Sequence, residues 1–161
     1  MNLRTLFERY LTAKPTIKMV VDWPIIIGTG LLGEIFSWGH LPLSPYSNFF
    51  GGAIFLGGWL FHQYCHRAHK QAHEQPAQID HLVTTGVFAT IRHPMYLSLI
   101  LMYLGTAIAW GISWMLIPSL CFAVLTIFSA LKEEAFLLEK FGSQYERYMQ
   151  TVPWRFIPKI F

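Results

Sequence analysis

Charge is what this sequence has least of. Of 161 residues, 13% are Asp, Glu, Lys or Arg, where a soluble domain carries about a quarter. Much of the surface is therefore expected to face lipid. Cysteine is scarce too. Cys65 and Cys121 both lie in apolar stretches, which excludes a disulfide framework and the paired spacing of a zinc signature. No low-complexity segment, repeat or linker divides the chain, so one domain over 1–161 is expected. No small-residue cleavage site follows a basic start, so the N-terminal segment is expected to be retained and not removed as a signal peptide.

What the chain does have is apolar length, with 53% hydrophobic and 16% aromatic residues. Leu3, Leu6, Phe7, Tyr10 and Leu11 form one helical stripe opposite Arg4, Glu8 and Arg9, which predicts an interfacial helix within 1–18. Four apolar runs follow, at about 19–38, 49–64, 95–110 and 114–131. At about 1.5 Å rise per residue they just cross a hydrocarbon core of about 30 Å. Several tryptophans, among them Trp38, Trp110 and Trp114, sit at run ends as an interfacial belt would require.

Lysine and arginine are missing between the first and second runs. The third and fourth are joined by Gly111–Ser113 alone, a tight hairpin. The basic residues gather in the N-terminus, in the second connection and in the 132–161 tail. Four spans put all three segments on one side, which the positive-inside rule makes cytoplasmic, with both termini. The expected architecture is an all-α integral membrane protein of four transmembrane helices, with a cofactor pocket at the cytoplasmic face.

The polar residues at that face are candidates for chemistry. Arg92-His93-Pro94-Met95-Tyr96 opens the third run. Proline suits the first helical turn, and the unpaired N–H groups there favour a carboxylate or phosphate. The same residues also suit an interfacial anchor. Glu133 and Glu134 follow the fourth run and could hold a cationic group, or form a solvated helix end if the helix continues towards Gly142. His62, His66, His69 and His73 share a helical face. They read as a polar extension of the second helix walling a cofactor cleft, and no metal site is expected from them. Asp22 and Glu34 are expected to reach water at opposite ends of the first run.

Together, Leu82-Val83-Thr84-Thr85-Gly86-Val87-Phe88, Arg92-His93-Pro94-Met95-Tyr96, a hairpin, Glu133-Glu134, Phe141-Gly142, Tyr145, Tyr148 and Val152-Pro153 resemble the isoprenylcysteine carboxyl methyltransferase and phospholipid methyltransferase superfamily of integral membrane enzymes. The resemblance covers about 81–158. It implies S-adenosylmethionine as cofactor and a lipophilic, membrane-resident methyl acceptor. The acceptor could be a phospholipid amine, a prenylcysteine-like carboxylate or a hydrophobic thiol. It implies cofactor contacts from Leu82, Val83, Phe88, His93, Pro94, Met95, Tyr96 and Glu133, with His73 and His81 beside them. Glu133 and Glu134 become the catalytic candidates should the acceptor arrive protonated.

One position departs from the prenylcysteine enzymes, which carry an arginine one turn before the glutamate matching Glu133; here it is Ser129. Lys132 or Arg155 could replace that cation. Membrane lipids are the expected surroundings, and neither nucleic acid nor a protein partner is expected. Two alternatives remain: a nicotinamide-dependent sterol-type reductase, and a non-enzymatic, histidine-rich metal-binding membrane protein.

Overall fold

A computed structural model describes residues 2–68 and 79–160, and every regular element among them is helical. Helix α1 (Leu3–Thr12) precedes α2 (Pro15–Ile35), α3 (Tyr46–Ala68), α4 (Pro94–Trp110), α5 (Leu116–Phe141) and α6 (Ser143–Thr151). Helix α1 is capped by the Asn2 side chain, which accepts from Arg4 N. It lies along α5, where Phe7 meets Phe128 edge-on and Lys132 reaches Glu8 at 2.8 Å.

Two helical stretches, Thr16–Ile35 and Ser113–Phe141, are long and apolar enough to cross a membrane. Pro94–Trp110 is apolar but shorter. Their outward faces carry exposed Val20, Leu31, Ile117, Leu120, Val124 and Phe128, which suits lipid rather than water. Helices α3 and α5 each run past their apolar segments, α3 from before 49 to beyond 64 and α5 ten residues past 131. A helix ends where its backbone finds a stop, not where hydropathy falls. For α5 that stop is Gly142, whose positive φ of 50° suits glycine.

Helices α3 and α4 form the tightest pair. A methyl group at Gly51 would lie 2.2 Å from Ala109 N, and one at Gly105 would lie 2.5 Å from Phe55 N. Small residues let membrane helices approach this closely. At the α4–α5 end, Leu41 N donates to Gly111 O and Ser113 N to Gly39 O, stitching the α2–α3 connection onto the hairpin. One apolar cluster, including Ile26, Tyr103, Ile112, Met115 and Phe122, fills the bundle. A second, of Ile79, Leu137, Tyr145, Tyr148 and Val152, lies at the opposite end of α5. Charged side chains gather beside this second cluster.

Candidate active site

Glu134 is the hub of the site. It is 8% exposed and so needs partners. Its Oε1 accepts from Arg92 Nε at 2.9 Å and sits 2.8 Å from Arg92 Nη2 and 3.0 Å from His93 Nε2. Its Oε2 accepts from Arg155 Nε at 3.0 Å. Arg92 also donates from Nη1 to Val152 O at 2.7 Å. One carboxylate on α5 thus ties the segment before α4 to the chain after α6. The backbone repeats that tie: Arg92 N donates to Trp154 O and His93 N to Arg155 O, each at 2.9 Å. Phe156 covers the His93 ring from one side, with Tyr96 edge-on at 5.7 Å.

Glu133, one residue earlier, has different surroundings. It is half-buried and accepts from the Tyr96 hydroxyl. Pro94 starts α4 and has no N–H, and the first intrahelical bond runs from Leu97 N to His93 O. The N–H groups of Met95 and Tyr96 therefore lie outside the intrahelical ladder. A carboxylate with spare acceptor capacity and a helix N-terminus with spare donors stand side by side. That combination can hold a ligand carrying both an anionic group and hydrogen-bond donors.

The approach segment packs on the second apolar cluster. Gly86, at φ 62°, opens a 3-10 turn through Ala89. Phe88 is buried, and its carbonyl accepts from the Tyr148 hydroxyl at 2.7 Å. Leu82, half-buried, packs on the cluster of Tyr145 and Tyr148; Val83 is half-buried too. Burial pushes both tyrosine hydroxyls well above their ordinary range, so each remains a donor. His81 is exposed and paired with Asp80. His73 and His69 lie outside the described residues. His62 Nδ1 pairs with Ser98 Oγ at 2.8 Å. Among the described residues no three His, Cys, Asp or Glu side chains gather as metal ligands would.

Two expectations need correction. Asp22 does not reach water. It is 1% exposed and accepts from Tyr10 and Tyr103 hydroxyls at 2.8–2.9 Å. Helix α1 folds over it, and hydrogen bonds replace the water that burial removes. The cation beside Ser129 is neither Lys132, which pairs with Glu8, nor Arg155, which pairs with Glu134. It is Lys18, whose Nζ donates to Ser129 Oγ at 2.8 Å and to Leu11 O at 2.9 Å. No local pattern marks Lys18 as part of the site, because Ser129 lies 111 residues away.

Fold and site together define a helical, lipid-suited protein with a charged site at one end of its bundle. The chain belongs to the phospholipid methyltransferase family, which it matches over residues 47–144. It is 39% identical over 79 residues to Protein-S-isoprenylcysteine O-methyltransferase of Schizosaccharomyces pombe, covering 46% of this chain and 32% of that one. It is 30% identical over 82 residues to Delta(14)-sterol reductase of Mus musculus, covering 50% of this chain and 20% of that one. The matches thus span about a third and a fifth of those relatives' lengths. Lys18, Asp22, Val152 and Arg155 fall outside the 47–144 match, although the structure joins Val152 and Arg155 to the hub.

Proposed function

We propose that the protein is a single-domain integral membrane methyltransferase that uses S-adenosylmethionine to methylate a lipophilic, membrane-resident acceptor. Helices α2 to α5 are the four spans, α1 lies at the interface, and both termini face the cytoplasm. The family match over α3 to α5, where Glu133 and Tyr96 meet, carries this reading.

The residues present fit the cofactor. Glu133 retains acceptor capacity for amino or ribose groups, and the Met95 and Tyr96 N–H groups suit a carboxylate. Leu82, Val83 and Phe88 offer apolar wall to an adenine or thioether, and His93 and Pro94 shape the floor. The resemblance adds His81 to this set, and His73, which lies outside the described residues. When bound, S-adenosylmethionine supplies an electrophilic methyl on a sulfonium, whose carbon–sulfur bond breaks as the acceptor–methyl bond forms. The protein's share is alignment and exclusion of water. Tyr96 orients Glu133. Glu134, held by Arg92, His93 and Arg155, fixes the segment before α4 against the segment after α6. An acceptor arriving as an ammonium must first lose a proton. Glu133 is the better placed of the two carboxylates to take it, because Glu134 is already engaged by cations. Lys18 beside Ser129 provides positive charge where the prenylcysteine enzymes carry arginine. A carboxylate acceptor therefore stands beside phospholipid amines and hydrophobic thiols.

The sterol reductase similarity favours one second reading, a nicotinamide-dependent reductase. Calorimetry on the detergent-purified protein separates the two. S-adenosylhomocysteine should bind in the micromolar range and lose measurable binding in Glu133→Ala. Binding of a reduced nicotinamide cofactor in its place would overturn the methyltransferase reading.

A further inference from the structure

A crevice of about 340 Å³ opens between α2 and α3 over α4. Met19 of α2, Trp59, His62 and His66 of α3, and Leu99 and Met102 of α4 line it. The hydrogen bonds behind His62 fix which of its ring nitrogens carries the proton. Ser98 is fully buried and has one hydroxyl proton, which its Oγ gives to Met95 O at 2.6 Å. His62 Nδ1 lies 2.8 Å from the same Oγ. With the Ser98 proton committed, that contact is a hydrogen bond only if Nδ1–H donates. Nδ1 then holds the ring proton of neutral His62, and Nε2 holds the lone pair. Nε2 is the basic atom of a histidine that lines the crevice.

The crevice runs beside the first turn of α4. Leu99, in its lining, follows Tyr96 by three residues and so neighbours it on the helix surface. Ser98 bonds back to Met95, whose N–H belongs with that of Tyr96 to the proposed cofactor site.

We propose that His62, held as the Nδ1–H tautomer by Ser98, takes the proton in the methyl-transfer step, and that the acceptor is a nitrogen or sulfur group that enters this crevice protonated. This deepens the methyltransferase reading and rests on it. His62 Nε2 removes the proton, and the electron pair left on the acceptor forms the bond to the methyl carbon. The carbon–sulfur bond breaks with its pair staying on the sulfur, and His62 later passes the proton to water. Glu133 is then left to the cofactor. On α2, Lys18 and Asp22 are turned to Ser129 and to Tyr10 and Tyr103. His66 is the other titratable residue of the lining.

The test is the pH dependence of labelled-methyl transfer by the full chain in vesicles of lipid extracted from its host membranes. The wild-type rate should fall as pH drops through the ordinary imidazole range. His62→Gln keeps a donor for Ser98 but takes no proton. It should lower the rate about a hundredfold and abolish that fall, with S-adenosylhomocysteine binding unchanged. Ser98→Ala, which lets the Nε2–H tautomer form, should lower the rate about tenfold. An undiminished rate in His62→Gln, or a fall that survives there and vanishes in His66→Gln, would overturn the assignment. So would label released by mild alkali as volatile methanol, the mark of a methyl ester. Nitrogen NMR of isotope-labelled histidines in the wild-type protein reads the tautomer without turnover. Nδ1–H is expected at His62, and Nε2–H would overturn the proposal even where a variant fails to fold. Wild-type protein that neither binds S-adenosylhomocysteine nor transfers label would overturn the methyltransferase reading itself, and the role of His62 with it.

Discussion

At the scale of single residues, the adjacent carboxylates of α5 have separable roles. Glu134→Gln keeps the shape but leaves Arg92 and Arg155 without their counter-charge in a buried setting. Breaking a buried pair from one side costs about 3–5 kcal/mol, so thermal unfolding in detergent should show a large drop in Tm. Glu133→Gln removes the charged partner of a single hydroxyl and should cost about 1–3 kcal/mol, with the main loss in cofactor binding. Equal Tm changes for the two variants would contradict the division. The Glu133-Glu134 pair is visible in the sequence, but not which carboxylate meets which partner. Adjacent helical positions point about 100° apart, and only the packed structure shows that one faces two arginines and the other a tyrosine. The burial of Asp22 and the reach of Lys18 to Ser129 are not legible for the same reason: the donors and acceptors that satisfy them come from α1, α4 and α5.

At the scale of elements, the helices could be read from hydropathy and the stops from glycine and proline. The α4–α5 hairpin and the end of α5 at Gly142 match that reading. The close α3–α4 contact was not legible, because glycines along a run do not say which of them face a partner. Gly105→Ala should destabilise by about 1–3 kcal/mol through overpacking against the Phe55 backbone. Gly57→Ala, with open space around it, should not. Similar unfolding midpoints for the two would contradict the packing.

Helix α6 holds the approach segment through the Tyr148–Phe88 hydrogen bond, and Tyr148→Phe should cost about 1 kcal/mol. The burial-raised Tyr148 adds a pH dependence. Its folded pKa lies above the ordinary 10.0. Its contribution is therefore complete below about pH 10 and is lost as pH rises beyond it, when the unfolded chain ionises first. The wild-type protein should lose stability faster than Tyr148→Phe on raising the pH above 10; parallel profiles would contradict this.

At the scale of the whole molecule, the low charge and the apolar outward faces of α2 and α5 point to a bundle in a bilayer, with a charged cluster at one end of it. The structure brings Arg92 and His93, within the family match, together with residues that lie beyond it. The hub at Glu134 draws in Val152 and Arg155 from beyond the 47–144 match, and the Tyr10–Asp22–Tyr103 contact draws α1 onto α2 and α4. A fragment holding only the matched region should therefore lack the closure that the full chain provides. The most direct test of the central claim is transfer of labelled methyl from S-adenosylmethionine into organic-extractable lipid, using the full chain reconstituted in vesicles of lipid extracted from its own host membranes. The account predicts label in the lipid fraction with the wild-type protein and a loss of about a hundredfold or more in Glu133→Ala. No label above protein-free vesicles, or label undiminished in Glu133→Ala, would contradict it.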